Sequence, residues 1–164
     1  MDLMISVYLK RAENEFLTAE KLKEMSESDK VRAFMEIPQE MTFYSAVISH
    51  AYYSIFYSAK AILLTKKIKT SSPEVHRKTF DAFKEQFVDT GILDVKLLEI
   101  YKRMVVRADE LLEIFREEKR KRGDFTYKTI PQANQAPAED SLNNSKTFLS
   151  NIKKVIEKNN HLRE

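Results

Sequence analysis

Apolar residues recur every three to four positions through most of the chain, which is the spacing of one face of an α-helix. Near the N-terminus this face consists of Ile5, Leu9, Ala12, Phe16 and Ala19. The pattern predicts a first helix over residues 2–25, which the polar cluster 26–29 ends. A connector follows over residues 26–40. We expect its apolar side chains to dock on the helical body: Val31, Phe34, Met35 and Ile37.

The segment 42–66 is apolar on nearly every side, as its central run YSAVISHAYYSIFYSAKAILL illustrates. Its length is compatible with a membrane span. However, His50, Lys60 and several serines and tyrosines interrupt it. A central helix wrapped by other helices explains all-round hydrophobicity better. We therefore expect a core helix and no membrane segment.

Two more helices follow, each with a recognisable start. Ser72, Pro73 and Glu74 form a hydroxyl cap, a proline and an acid, which predicts a third helix that Gly91 ends. Asp94 caps a long fourth helix. The fourth helix carries a continuous apolar face of Leu97, Tyr101, Met104, Ala108, Leu111 and Phe115. Its second stripe consists of Leu98, Val105 and Leu112, which predicts a second neighbour and makes these three residues candidates for a dimer interface.

The segment 123–137 lacks a helical pattern, and a loop of that length inside a helical domain is often functional. A fifth helix restarts after Pro137, and we expect the tail 158–164 to fray. The inward face of this helix is formed by Ala138, Leu142, Ser145, Leu149, Ile152 and Ile156. The sequence therefore predicts one all-α domain over residues 1–164.

The composition excludes several kinds of chemistry but does not identify the one that the protein performs. The chain has no cysteine, which excludes disulfide frameworks, zinc–thiolate sites and thiol catalysis. Two glycines among 164 residues argue against glycine-loop nucleotide folds. No histidine follows a glutamate at the spacing of a di-iron site. We expect neither a metal nor a cofactor, and the lack of a signal peptide predicts a cytoplasmic protein.

Basic residues cluster at the end of the fourth helix. They are Arg116, Lys119, Arg120, Lys121 and Arg122. Positive side chains at the C-terminus of a helix interact favourably with the negative end of the helix dipole. This structural role is sufficient to explain the basic cluster. The alternative is a phosphate-binding patch, because arginine pairs bidentately with phosphate oxygens and Tyr127 could stack on a base.

Two histidines lie in apolar surroundings. His50 is either a core residue with a satisfied hydrogen bond or an acid–base group that reaches a crevice. His76 shares a helix face with Phe80, Phe83 and Phe87, which predicts a packing role with its ring bonded to a neighbouring turn.

The chain resembles the small prokaryotic branch of the HEPN superfamily, the higher eukaryotes and prokaryotes nucleotide-binding domain. The resemblance rests on three motifs and on their order. The motifs are the Ala-Tyr-Tyr helix around His50, the run HRKTFDAFKEQFVDTGILD, and RGDFTY over residues 122–127. The resemblance implies an antiparallel four-helix bundle with a short additional helix, usually a homodimer. Many members are ribonuclease toxins or stand beside a minimal nucleotidyltransferase partner.

Active members of that superfamily carry an arginine, then four to six intervening residues, then a histidine, and this pair cuts RNA without metal. Here Arg122 has that spacing to Tyr127, so a phenol replaces the imidazole. A phenol titrates near pH 10 and is a poor base at neutral pH. A catalytic role would use Arg122 with either His50 or Tyr127.

The first hypothesis is therefore a HEPN-like module that binds RNA, a nucleotide or a partner's phosphate group. Its contacts would come from Arg116, Lys119, Arg120, Arg122, Asp124 and Tyr127. The module would be one component of a nucleotidyltransferase-linked toxin–antitoxin pair. The alternatives are a metal-independent endoribonuclease toxin and a dimeric module that only docks another protein.

Overall fold

The structure is a computed structural model. It describes residues 2–120 and 134–161, with side chains for residues 2–112 and 134–159. The described residues form helices and connecting turns, which confirms the all-α class. The helices are α1 (Leu3–Glu27), α2 (Asp29–Phe34), α3 (Tyr44–Thr65), α4 (Val75–Phe83, continued by a π-helical turn Lys84–Val88), α5 (Val95–Arg120) and α6 (Gln135–His161).

The bundle is antiparallel, as contacts between side chains far apart in sequence show. Glu15 of α1 bonds His50 of α3, and Glu13 of α1 bonds Lys153 of α6. Arg107 of α5 bonds Asp140 of α6. Tyr8, early in α1, stacks on Tyr57, late in α3, and the amide of Phe43, just before α3, donates to Ser26 near the end of α1. Tyr101, early in α5, contacts Phe148, which lies further along α6 than Asp140, so α5 and α6 also run in opposite directions. The four long helices α1, α3, α5 and α6 therefore form the predicted bundle.

Helix α3 is the central helix, as its all-round hydrophobicity predicts. Its buried residues include Ile48, Ala51, Ile55, Ile62 and Leu63, and α1, α4, α5 and α6 all pack on it. Small residues at Ala51 and Ala59 let neighbouring helices approach closely, since they are fully buried. No helix of the part that the structure describes is long and apolar enough to cross a membrane.

The connector after α1 differs from its predicted packing. Residues 29–34 form the short helix α2, capped by the hydroxyl of Ser28. Val31 and Ile37 are half-buried, but Phe34 is 88% exposed and Met35 is exposed. The prediction that Phe34 and Met35 dock on the body is therefore wrong. The connector is held through its backbone carbonyls, which Arg32 binds, and not through these side chains.

Helix α4 begins at Val75, after Glu74 in a left-handed conformation, and not at the predicted Ser72 cap. Its buried residues are Thr79 and Phe83, with Phe87 in the π-helical turn. That turn, in which the amide of Asp89 donates to the carbonyl of Lys84, was not predicted. Gly91 adopts a left-handed φ of 72° and ends the helix region as expected.

Helix α5 starts where Asp94 predicts, since the amide of Lys96 donates to its carboxylate at 2.8 Å. Its residues Leu97, Tyr101, Met104 and Leu111 are buried.

Helix α6 begins at Gln135, so Pro137 lies in its first turn and not before it. The helix continues to His161, beyond Lys158, where fraying was expected. Its predicted inward face is confirmed, with Leu142 half-buried and the other five residues buried.

Candidate functional site

A cluster of aromatic and cationic side chains lies on the solvent side of α3, between α1 and α4. On α3 the members recur at helical spacing, so they share one face. We call this cluster the aromatic face, and its residues are Tyr8, Arg11, Tyr53, Phe56, Tyr57, Lys60 and His76.

The rings of the aromatic face form a continuous contact surface. Tyr57 stacks between Tyr8 and Tyr53, with ring centroids 6.1 and 6.3 Å away. Tyr53 meets Phe56 edge-on at 6.4 Å. Phe56 is buried, whereas Tyr53 remains 39% exposed. The face therefore presents an accessible ring on a rigid aromatic support.

Two cations lie against these rings. The Arg11 guanidinium carbon is 5.1 Å from the centroid of Tyr57. The Lys60 ammonium lies 4.9 Å from Tyr8 and donates to the carbonyl of Thr70 at 3.2 Å. Both contacts are within the range of cation–π attraction. Arg11 is exposed and Lys60 is half-buried, so positive charge adjoins the exposed aromatic surface.

His76 completes the aromatic face from α4. Its ring centroid is 4.3 Å from that of Phe56, and its Nδ1 lies 2.8 Å from the hydroxyl of Tyr52. Burial and the nearby Lys60 charge lower the pKa of His76, while Asp109 partly opposes them. Burial also raises the pKa of Tyr52, so its phenol stays protonated. His76 is exposed and does not share the burial of Phe83 and Phe87, so the prediction holds only in part. Its ring packs on Phe56, and its hydrogen-bond partner is a side chain of α3 and not a neighbouring turn.

His50 pairs with a carboxylate one turn along α3 from Tyr53. Its Nδ1 lies 2.6 Å from Oε2 of Glu15, and the two side chains are 36% and 27% exposed. A carboxylate accepts hydrogen bonds only, so Nδ1 carries a proton and Nε2 is the remaining nitrogen. His50 is therefore not a core residue. It is an oriented, accessible imidazole.

The basic corner predicted at the end of the fourth helix falls largely beyond what the structure describes. Arg122, Asp124 and Tyr127 lie outside the described residues. The backbone of α5 extends through Arg116, Lys119 and Arg120, whose side chains are also outside them. Whether these residues share a cleft with His50 therefore stays a prediction.

The three residues predicted for a dimer interface differ in their burial. Leu98 and Val105 are half-buried and pack against the core of the same chain. Leu112 is 54% exposed. Two of the three residues thus already have neighbours within the chain.

A further polar contact joins α5 to the first turns of α6. The Arg107 guanidinium donates to the carboxylate of Asp140 at 2.9 Å and the hydroxyl of Ser141 at 2.8 Å. It also donates to the carbonyl of Pro137 at 3.2 Å. Arg107 is mostly buried, so these contacts hold the start of α6 against α5.

Sequence reasoning found His50 and His76 but missed the aromatic face. Tyr53 and Tyr57 were visible as an interruption of an apolar helix, and Tyr8 and Arg11 share a face of α1. No spacing within one helix reveals that these two surfaces meet. In the described residues no group of three His, Asp or Glu side chains is placed to hold a metal ion.

Comparison with known proteins found several relatives. A protein of Methanocaldococcus jannaschii named "Putative toxin MJ0142" is 38% identical over 81 residues, covering 46% of this chain and 53% of that protein. The chain thus spans about half of that relative. "Putative toxin MJ0605" of the same organism is 28% identical over 138 residues, covering 78% of this chain and 90% of that protein.

A third relative defines the family. A "UPF0332 protein" of Thermotoga maritima is 30% identical over 112 residues, covering 68% of this chain and 72% of the relative. No family model and no solved structure matches the chain. On the strength of this extended similarity, the chain belongs to the UPF0332 family.

Proposed function

We propose that this protein is the toxin component of a two-protein system, that it has the HEPN-type bundle, and that it binds single-stranded RNA on the aromatic face. The observation that carries the proposal is the exposed ring of Tyr53. It packs against Tyr57 and Phe56, which are the rings that Arg11 and Lys60 contact.

This combination fits the chemistry of an unpaired nucleotide. A base presents a flat π-face, and its stacking on an aromatic side chain contributes about 1–3 kcal/mol. The neighbouring phosphate is an anion that a guanidinium binds with charge-assisted hydrogen bonds. The aromatic support under Tyr53 limits the side-chain entropy that binding would cost, because its neighbours already fix the ring.

The names of two relatives support a toxin-type role, since both carry the word toxin. The HEPN resemblance suggests that the second component is a minimal nucleotidyltransferase. In this proposal Arg122, Asp124 and Tyr127 extend the RNA contact beyond α5, with Arg116, Lys119 and Arg120 supplying charge along its last turns.

The test is the affinity for a labelled single-stranded RNA of mixed sequence, measured by fluorescence anisotropy over a range of salt concentrations. Tyr53→Ala should weaken binding roughly 5- to 150-fold, the equivalent of the stacking contribution. Tyr53→Phe keeps the ring and should retain affinity. Arg11→Gln should lower the slope of log K against log salt by about 0.7, the value for one phosphate contact on a single strand.

Lys102→Gln is the matched control for Arg11→Gln, because Lys102 is an exposed cation on α5 outside the aromatic face. It should leave the slope unchanged. If Tyr53→Ala kept the wild-type affinity, the aromatic face would not be the RNA-binding site. The same would follow if Arg11→Gln and the wild type had equal slopes of log K against log salt. Failure of the wild-type protein to bind RNA at low salt would remove RNA as the ligand.

The pair formed by His50 and Glu15 favours a second candidate function, metal-independent RNA cleavage. In that reaction a base removes the 2′-OH proton, the 2′ oxygen attacks the adjacent phosphorus, and the 5′ oxygen leaves with a proton. His50 would act as the base through Nε2, and Glu15 would stabilise the imidazolium that forms. Arg122 and Tyr127 would bind the phosphate group in this version.

Incubation of total RNA with the protein in EDTA decides this candidate. General acid–base groups contribute about 10²- to 10⁴-fold to rate, so His50→Gln should slow cleavage by at least about 100-fold. RNA affinity should change little in that variant, because the stacking ring remains. RNA that stays intact with the wild-type protein would contradict cleavage while leaving the binding proposal standing.

A further inference from the structure

The segment that joins α3 to the first turn of α4 is strongly basic. We call residues 66–78 the basic segment, and it carries five lysine and arginine side chains against one carboxylate, Glu74. The chain as a whole has a net charge of +3, so the remaining residues together have no positive excess. Charge of one sign that is concentrated in one place attracts a polyanion even where the net charge is small.

Three lysines of the basic segment are available to an external anion. Lys67, Lys69 and Lys78 are exposed, and no carboxylate of the described residues lies within ion-pair distance of them. The other two cations, Lys66 and Arg77, already contact groups of this chain. A phosphate could therefore bind the three lysines without displacing a carboxylate partner among the described residues.

Lys67 occupies a backbone position that usually belongs to glycine. It follows the end of α3 with a φ of 61°, in the left-handed region that disfavours a side chain. Strained residues of this kind cluster at functional sites. A lysine at this position suits the fold less well than a glycine, which indicates that its charge has a use.

The basic segment adjoins the aromatic face at two points. The Lys60 ammonium donates to the carbonyl of Thr70 at 3.2 Å, and the ring centroid of His76 is 4.3 Å from that of Phe56. The hydroxyls of Thr70 and Thr79 lie 2.6 Å apart, which ties the segment to α4. The segment therefore has a fixed position beside the rings.

We propose that the basic segment binds the phosphate backbone of the RNA strand whose base stacks on Tyr53, an inference that rests on the proposed RNA binding. The strand runs from the aromatic face along residues 66–78, and Lys67, Lys69 and Lys78 each bind a phosphate. A row of cations beside stacking rings is the arrangement of single-strand binding grooves. An acidic protein would also meet the lysines, but it lacks the flat bases that the adjoining rings would stack on.

The salt dependence of binding to a labelled single-stranded RNA of about ten nucleotides measures these contacts. The test protein carries Lys67→Gln, Lys69→Gln and Lys78→Gln together. This triple variant should reduce the magnitude of the slope of log K against log salt by about 2. Each phosphate contact on a single strand contributes about 0.7 to that slope.

The matched control has the same net charge and replaces three exposed lysines outside the basic segment by glutamine. They are Lys30, Lys102 and Lys146. The control should keep the wild-type slope. If the two triple variants had equal slopes, the basic segment would not bind the backbone. The aromatic face would stand in that case if Tyr53→Ala still weakened binding, and both proposals would fall if the wild-type protein did not bind RNA.

Lys67→Gly separates binding from folding. It should reduce the magnitude of the slope by about 0.7, because one phosphate contact is lost. Its melting temperature should stay the same or rise, since glycine adopts a left-handed φ at less cost. A lower melting temperature with an unchanged slope would give Lys67 a structural role only and would contradict the proposal.

Labelled polyglutamate is the probe for an acidic protein as the ligand. The basic segment should bind it more weakly than RNA of equal charge, because polyglutamate has no bases to stack on the adjoining rings. If polyglutamate bound as tightly as the RNA and lost affinity in the Lys67, Lys69 and Lys78 variant, the segment would be a docking site for acidic protein, and the proposal would be wrong.

Discussion

The groups packed around His76 determine its protonation. Phe56 lies under the ring, the Tyr52 hydroxyl bonds Nδ1, and the Lys60 charge is close. Burial and the like charge both disfavour the imidazolium, so they lower the pKa of His76 in the folded chain. His76 therefore presents a neutral ring on the aromatic face at neutral pH, while Arg11 and Lys60 supply the positive charge.

This lowered pKa makes the free energy of unfolding depend on pH. Below the unfolded pKa of 6.5, the unfolded chain binds a proton at His76 that the folded chain does not. Stability should therefore decline as the pH falls through 6.5 until the folded pKa is reached. We expect His76→Gln to remove this part of the decline. Urea unfolding of both proteins between about pH 8 and pH 5 measures the difference, and parallel curves would contradict it.

At the scale of secondary-structure elements, the connection between α1 and α3 shows where sequence patterns mislead. Apolar residues in a connector normally indicate docking, and this rule predicts that Phe34 and Met35 pack on the helical body. In the structure Arg32 satisfies the carbonyls of the turn instead, so the apolar side chains face water. A guanidinium has five donors in a fixed geometry, and no periodicity reveals which carbonyls it will meet.

Replacing Arg32 with methionine tests this account, because methionine keeps an unbranched stem but has no donor. We expect Arg32→Met to lower the free energy of unfolding by about 1–3 kcal/mol, since hydrogen bonds to a charged group are lost. Cleavage within residues 28–43 by a protease should also become faster. Lys30→Met, an exposed site on the same helix, should change stability by no more than about 0.5 kcal/mol. Equal stability in both variants would contradict a holding role for Arg32.

At the scale of the whole molecule, the bundle could be predicted because its determinants are local. The apolar faces of α1, α5 and α6 and the all-round hydrophobicity of α3 are visible in single segments. The candidate site could not be predicted in the same way, because the aromatic face and the His50–Glu15 pair join residues of different helices. His50 and Glu15 stand 35 positions apart, and the sequence does not reveal how α1 is rotated against α3.

The central position of α3 also has a consequence for biosynthesis. Its apolar surface leaves the ribosome well before α6, which covers part of it in the finished bundle. Until residues 135–161 have been translated, that part of the surface has no partner within the nascent chain and is open to aggregation. Completion of the fold therefore waits for the translation of α6, and binding of a chaperone to the α3 segment would protect the chain during this interval.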